Sequence, residues 1–396
     1  MQVVLFSAPP LYKYTKDKKG RCFMKKAVIL IFVFILVCRP VYADPDISCK
    51  SAVLMEQSTG RVLYSLNPHE KLPPASVTKI MTMLLAMEEI DSGNLKLTDT
   101  VTASQHAKEM GGSTIYLDTG EVMTVDDIMK GIAVASGNDA CVAIAEHIAG
   151  SEEDFVARMN ARAEELGMHD THFVNCNGLD AEGHVTSAYD IALMSRELLK
   201  HEGIFKYTTI WMDSLRGGAF TLSNTNKLIR FYSGANGLKT GSTSGAGCCI
   251  SGTAKRDNMQ LIASVMGSES SDKRFSSARA LLDFGFANYA LSDLSSLADL
   301  SGSVPVLRGT EKEAQPELSA PFVALTEKSK KNKITAETYL YGSVSAPVKK
   351  GDTLGTVKYS LDGEPLGSCN IVAKYDIPQK SFIMFYLETL SRWVKG

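Results

Sequence analysis

Ser76 and Lys79 stand three residues apart in the run Ser76-Val77-Thr78-Lys79, and two more short runs follow in order, Ser136-Gly137-Asn138 and Lys239-Thr240-Gly241. Ser-x-x-Lys recurs at Ser270-Ser271-Asp272-Lys273, and Ser-x-Asn recurs at Ser65-Leu66-Asn67, Ser92-Gly93-Asn94 and Ser368-Cys369-Asn370, whereas Lys-Thr-Gly occurs once. The information therefore lies in the ordered set. A serine hydroxyl is a weak nucleophile until a neighbouring base takes its proton, and a lysine desolvated by neighbours such as Ile80 and Met81 gives up its own proton more readily. Three-residue spacing at the start of a helix puts both side chains on one face, where the helix N-terminus favours developing negative charge. The chemistry this implies is serine acyl transfer. The second match, Ser270 with Lys273, reads as a serine N-cap followed by a solvated lysine.

In a break between helices, Ser136 and Asn138 can bring a hydroxyl and an amide to the same cleft, to relay a proton to a leaving amine and to hold the substrate backbone. Lys239, Thr240 and Gly241 at a strand edge offer a cation, a hydroxyl and room for close backbone approach. A peptide can lie along such an edge by strand addition. Each run alone has an ordinary reading, as a turn in the first case and as an edge strand with a protective lysine in the second.

The elements that must position these groups are legible in the pattern. Ala52 to Met55 and Val62 to Tyr64 flank the turn Ser58-Thr59-Gly60, which predicts a hairpin at the start of the mature chain. After Pro73-Pro74-Ala75, the residues Val77, Ile80, Met81, Leu84, Leu85 and Met87 recur at helical spacing, so a buried helix is expected from about Ser76. Residues 124 to 198 read as mostly helical, interrupted at Ser136-Gly137-Asn138. Residues 233 to 267 change to β character, as adjacent antiparallel strands around 237–240, 249–251 and 259–266. A helix over about 273–289 closes this unit.

Beyond Leu291 the texture shifts to short β-branched runs separated by turns, which predicts a small all-β domain to about Ile377. In the last segment, Ser381, Glu388, Arg392 and Lys395 fall on one helical side and Phe382, Phe385, Tyr386, Leu390 and Trp393 on the other. That is an amphipathic helix too short and too charged to span a bilayer, suited to the outer-leaflet interface or to packing on the β domain. The expected division is 1–43 for an N-terminal extension and signal peptide, 44–290 for the catalytic domain, 291–378 for the all-β domain and 379–396 for the amphipathic helix.

With 396 residues, 44% of them hydrophobic, the chain can bury a full core across two or three domains. Forty-two basic against 44 acidic residues, with no dense basic run in the central region, leave no electrostatic footprint for nucleic acid. Lys25-Lys26, the apolar run Ala27 to Val37 and the small residues of Val41-Tyr42-Ala43 form a secretory signal peptide. Met24 is a candidate start after a long basic lead. Export permits disulfides among Cys49, Cys141, Cys176, Cys248, Cys249 and Cys369, but no spacing requires one and none suggests a metal site, so no cofactor is expected.

The central region resembles the low-molecular-mass penicillin-binding proteins that act as D-alanyl-D-alanine carboxypeptidases. The likeness rests on the three motifs, Pro73-Pro74-Ala75-Ser76, Asn177-Gly178-Leu179-Asp180, Gly237-Leu238-Lys239-Thr240-Gly241, Ala246-Gly247, and the β domain with Ala346-Pro347-Val348 and its terminal amphipathic helix. It implies an α+β fold of the β-lactamase/transpeptidase type, with an antiparallel sheet and a helical insert. It also implies roles: Ser76 attacks the carbonyl of the penultimate D-alanine, Lys79 accepts the proton, Ser136 with Lys239 protonates the departing D-alanine, and the N–H groups of Ser76 and Ser242 form the oxyanion hole. By the same resemblance Thr240 and Thr243 contact the substrate and Arg274 grips its terminal carboxylate, for which a guanidinium's paired donors are apt.

The implied partners are a peptidoglycan stem peptide ending in D-Ala-D-Ala, β-lactams as covalent inhibitors, and the outer face of the cytoplasmic membrane. Cys176 replaces a common proline and Cys248 a frequent aromatic, which bears on the loop before Gly178 and on the cleft floor. His184 in that loop is a candidate cleft-facing group, although such loops also carry purely structural histidines. Two alternatives follow. A β-lactamase would need a placed deacylating water, and the loop from Phe173 to Asp190 lacks the Glu-x-x-Leu-Asn arrangement of the class A enzymes. A wall-binding scaffold would not need the full set of catalytic residues found here.

Overall fold

The computed structural model of the protein describes residues 44–395. The expected signal peptide and the candidate start at Met24 lie outside the described residues. The first two strands of the described residues form the expected hairpin, β1 (Ser51–Glu56) and β2 (Val62–Leu66), paired antiparallel. Three long strands, β3 (Ala235–Thr243), β4 (Gly247–Arg256) and β5 (Met259–Ser268), complete a five-stranded sheet in the order β2-β1-β5-β4-β3. All its pairings are antiparallel. β3 is an edge strand, so one flank of the Lys239-Thr240-Gly241 run faces outward from the sheet.

The sheet is covered on both faces, and side-chain alternation along its central strands shows how. Val53 and Met55 of β1 join the larger core while Ala52 and Leu54 join the smaller one, as the two-residue period of a strand requires. The larger core packs helices α1 (Lys79–Asp91), α2 (Asn138–Ala149), α3 (Glu152–Glu165) and α4 (Ala188–Leu198). The smaller core is closed by α5 (Ser271–Asn288), through Phe275, Ala278, Leu281, Leu282 and Phe286.

The region read as helical from 124 to 198 is interrupted more than periodicity suggested. Residues 166–187 form an irregular loop stitched by side-chain hydrogen bonds, and a π-turn over Gly131–Ala135 precedes Ser136. The apolar residues of this stretch that recur at helical spacing lie in the helices on either side of the loop, which is why spacing alone did not expose it.

β6 (Tyr289–Asp293) pairs with a strand of the C-terminal β region, β8 (Val323–Glu327), and Leu325 of that strand packs into the smaller core. β7 (Pro316–Leu318), β9 (Ile334–Leu340), β10 (Thr353–Leu361) and β11 (Glu364–Ala373) form a second antiparallel sheet around a core of its own, with Leu354, Val357, Tyr359 and Ile371 fully buried. The final helix, α6 (Phe382–Lys395), leaves Phe382, Phe385, Tyr386, Leu390 and Trp393 in solvent, with Phe382 82% and Trp393 89% exposed. It therefore does not pack on the β region, one of the two placements its amphipathic pattern allows. Among the described residues no helix is long and apolar enough to cross a membrane.

Candidate active site

Pro74 opens a tight 3-10 turn over Ala75–Thr78, and the α-helix proper starts only at Lys79. Ser76 is thus in a turn that is wound more tightly than the expected α-helix, and it serves as no helix cap. Lys79 is wholly buried, and its Nζ lies 3.0 Å from Ser76 Oγ, 2.6 Å from Asn138 Oδ1 and 2.6 Å from the Asn177 carbonyl. Burial pushes the Lys79 pKa below the ordinary lysine value, opposed by Cys141, Cys176 and Asp139 nearby. A neutral amine has two N–H groups and one lone pair. Donating to Asn138 and Asn177, the two closer oxygens, leaves the lone pair for the serine proton.

The second wall of the cleft begins where the π-turn ends. Ser136 sits in the left-handed region at φ 64°, a conformation that breaks the helical run and starts α2 two residues later. Asn138 is almost fully buried; its amide nitrogen donates to the Gly111 carbonyl at 2.6 Å while its oxygen accepts from Lys79. The carboxylate of Asp139 accepts the backbone N–H groups of Ile115 and Leu117, which fixes the segment lying over this turn. Among the described residues neither Lys79 nor Lys239 is hydrogen-bonded to Ser136.

Along β3, Lys239 is 1% exposed and its Nζ donates to the Thr240 carbonyl at 2.8 Å. Its pKa is held well below the ordinary value, first by burial and then by the positive charge of Lys79. Thr240 donates its hydroxyl to Thr225 at 2.8 Å. Gly241 faces the turn that carries Ser76 so closely that a Cβ would fall 2.8 Å from Ser76 N and 2.9 Å from the Pro74 carbonyl oxygen. Only glycine permits that approach. Ser242 is exposed, its hydroxyl 3.6 Å from Cys248 Sγ across the strand pair.

Like Thr240, two further residues assigned to the substrate by resemblance are occupied within the protein. Thr243 donates its hydroxyl to Asp180 at 2.6 Å, tying the β3–β4 turn to the loop over 173–186. Arg274 lies behind the strand, 7% exposed; its Nη1 donates to the carbonyls of Gly241 and Cys249, its Nη2 donates to Ser271, and its Nε is buried without a partner. The six described cysteines are all free thiols, and Cys141, Cys176 and Cys249 are buried.

The loop over 173–186 is clamped onto α1 and the turn before it. Lys79 donates to the Asn177 carbonyl, Thr82 donates to the Cys176 carbonyl at 2.5 Å, and Gly178, at φ 89°, lies against Ala75. A Cβ on Gly178 would sit 1.9 Å from the Ala75 carbonyl oxygen. His184 is buried in the same loop, with Nε2 2.8 Å from Thr78 Oγ1 and Nδ1 accepting the Val174 N–H at 2.9 Å.

With this geometry in place, comparison with known proteins is decisive. Residues 40–270 match the family described as D-alanyl-D-alanine carboxypeptidase, and residues 297–379 match the penicillin-binding protein 5 C-terminal domain. The chain belongs to the D-alanyl-D-alanine carboxypeptidase family. It is 46% identical to D-alanyl-D-alanine carboxypeptidase DacF of Bacillus subtilis over 350 residues, covering 87% of this chain and 90% of the relative. Penicillin-binding protein 5 from Haemophilus influenzae superposes with a TM-score of 0.70 at 29% identity, covering 85% of this chain and all of that one. Penicillin-binding protein D2 from Listeria monocytogenes, in its ampicillin-bound form, gives a TM-score of 0.57 at 30% identity over 62% of this chain and all of that one. The protein is accordingly a serine-type D-Ala-D-Ala carboxypeptidase with the penicillin-binding protein fold.

Sequence reasoning missed several groups of this carboxypeptidase site. Thr225, in the segment before β3, is joined to Thr240; the Asn177 carbonyl and Thr82 fix the loop against α1; Asp180 ties that loop to the β3–β4 turn. Thr225 and Thr82 belong to no motif, and nothing local marks them, while Asn177 opens a stretch named above without any sign that its carbonyl meets Lys79. Asp180 stands out in the sequence only as the last residue of Asn177-Gly178-Leu179-Asp180, and its partner is 63 residues away.

Proposed function

We propose that the protein removes the terminal D-alanine from peptidoglycan pentapeptide stems through an ester on Ser76, and that β-lactams acylate the same oxygen. The observation that carries this reading is the Lys79 amine, buried and 3.0 Å from Ser76 Oγ with its other two contacts on fixed oxygens. Ser76 Oγ attacks the carbonyl carbon of the penultimate D-alanine as its proton passes to Lys79. The N–H groups of Ser76 and Ser242 steady the oxyanion, a kind of donor whose loss costs on the order of 100-fold or more in rate.

Collapse of the tetrahedral intermediate breaks the C–N bond, and the proton taken up by Lys79 is relayed through Ser136 and Lys239 to the departing D-alanine amine, leaving Lys79 neutral for the next step. Asn138 holds the substrate backbone as it aligns beside β3, with Thr240, Gly241 and Thr243 lining that edge. Water then attacks the ester, returning the hydroxyl proton to Ser76 and releasing the tetrapeptide. Arg274 supplies the positive charge for the substrate's free carboxylate.

The protein acts outside the cytoplasmic membrane after export, with the catalytic domain over 44–290, the all-β domain over 291–378, and α6 lying in the outer leaflet interface. The solvent-exposed Phe382, Phe385, Tyr386, Leu390 and Trp393 support attachment. The test is to incubate purified protein with diacetyl-Lys-D-Ala-D-Ala and with a β-lactam. Release of D-alanine, with a drug adduct localised to Ser76 by peptide mass spectrometry, is the expected result. Many turnovers of a chromogenic cephalosporin per site would instead make it a β-lactamase, and an adduct without D-alanine release would make it a scaffold.

A further inference from the structure

His184 does not reach the reacting atoms, yet it is fastened at both ring nitrogens. Nδ1 accepts the backbone N–H of Val174 at 2.9 Å, and since a backbone amide can only donate, Nδ1 carries no proton. The neutral ring must therefore carry its hydrogen on Nε2, which donates to Thr78 Oγ1 at 2.8 Å. The Thr78 hydroxyl in turn donates to the Ala75 carbonyl oxygen at 2.9 Å. Burial pushes the His184 pKa down to about 4, reinforced by His172 and opposed by Asp180, which agrees with the neutral tautomer demanded by geometry.

The end of this chain of hydrogen bonds is what matters. The Ala75 carbonyl and the Ser76 N–H belong to one planar peptide unit and point in opposite directions, so fixing the oxygen fixes the amide. Ala75 itself holds a φ of 49°, a left-handed conformation that a non-glycine residue keeps only under constraint. The same peptide unit is gripped between Gly178 and Gly241, whose added Cβ atoms would each fall within 3 Å of Ser76 N. Those contacts limit its position but provide no hydrogen bond to orient it.

We propose that His184 is a positioning residue that, through Thr78, aims the Ser76 backbone N–H at the oxyanion formed during acylation. This rests on Ser76 being the nucleophile. The loop over 173–186 thereby contributes to transition-state stabilisation without touching substrate.

Asparagine and glutamine separate the two ends of the ring. In His184→Asn the amide oxygen can stand in for Nδ1 and keep the Val174 bond, but nothing reaches Thr78; in His184→Gln the amide nitrogen can stand in for Nε2 and keep the Thr78 bond. Thr78→Val removes the hydroxyl at nearly constant shape. The full-length protein and these variants are compared for the second-order rate of acylation by a fluorescent penicillin and for kcat and KM with diacetyl-Lys-D-Ala-D-Ala. Far-UV circular dichroism at the assay temperature establishes that each variant is folded.

His184→Asn and Thr78→Val are expected to lose about 10- to 100-fold in acylation and kcat with KM nearly unchanged, as misplacement of one oxyanion donor should cost. His184→Gln is expected to retain most of the rate, and the His184→Asn/Thr78→Val double variant to be no worse than either single one. Wild-type rates in folded His184→Asn and Thr78→Val, or an equal loss in His184→Gln and His184→Asn, would overturn the proposal. Failure of the underlying reading looks different, because wild-type protein would then carry no adduct on Ser76 at all.

Discussion

The chain carries Ser-x-x-Lys twice at the start of a helix, and the two copies have opposite fates. At Ser270 the motif forms an ordinary N-cap: the hydroxyl accepts the backbone N–H of Lys273, and the Lys273 amine pairs in solvent with Glu269. At Ser76 the cap role is absent, the first turn is 3-10, and the lysine amine is sealed in the protein beside the hydroxyl. Identical spacing thus yields a helix terminus in one place and, in the function proposed above, a nucleophile with its base in the other. Burial makes the difference, because a solvated ammonium keeps its proton whereas a desolvated amine can accept one.

The sharpest way to break this contrast is to delete each serine. Ser76→Ala should lower acylation and D-alanine release by on the order of 10⁴-fold or more, as loss of a serine nucleophile does, while Ser270→Ala keeps full activity in the same assays. Lys79→Ala should cost about 10²- to 10⁴-fold, the usual contribution of a general base, against no change for Lys273→Ala. In wild-type protein the acylation rate should rise with pH as Lys79 loses its proton. The midpoint should lie below the ordinary lysine value, since burial lowers its pKa. A midpoint at or above 10.5, the ordinary value, would contradict the burial argument.

Smaller effects appear in stability. His184 has a folded pKa of about 4 against 6.5 for the free side chain, so the folded protein binds fewer protons in that interval. Its contribution is intact above about pH 6.5 and is lost as pH falls towards 4, amounting to about 3 kcal/mol. Urea titrations across this range should show a shallower acid loss for His184→Gln than for wild type. Ser270→Ala should cost only about 1 kcal/mol at neutral pH, the typical value of an N-cap, read as a shift in the urea midpoint.

Much of the frame is legible in the residue pattern alone. The hairpin, the three long strands and α5 follow from two-residue and helical periodicities that burial on sheet faces and helix stripes enforces, and the change of texture after Leu291 marks the β region. The irregular loop over 166–187 is not legible there. It is held by hydrogen bonds such as Thr82 to Cys176, Lys79 to Asn177 and His184 to Thr78, whose partners are about 100 residues apart and leave no period in the chain. Thr243 and Arg274 are visible as residues, but their occupation by Asp180 and by the Gly241 carbonyl is not.

By itself the sequence determined which residue types were available and in what order: one Lys-Thr-Gly, two Ser-x-x-Lys, and the strands and helices that carry them. Only the tertiary structure decided which serine faces a desolvated amine and which caps a helix. Local sequence sets backbone preference over a few residues, whereas the dielectric around an amine and the oxygens that surround it are assembled from segments far apart in the chain.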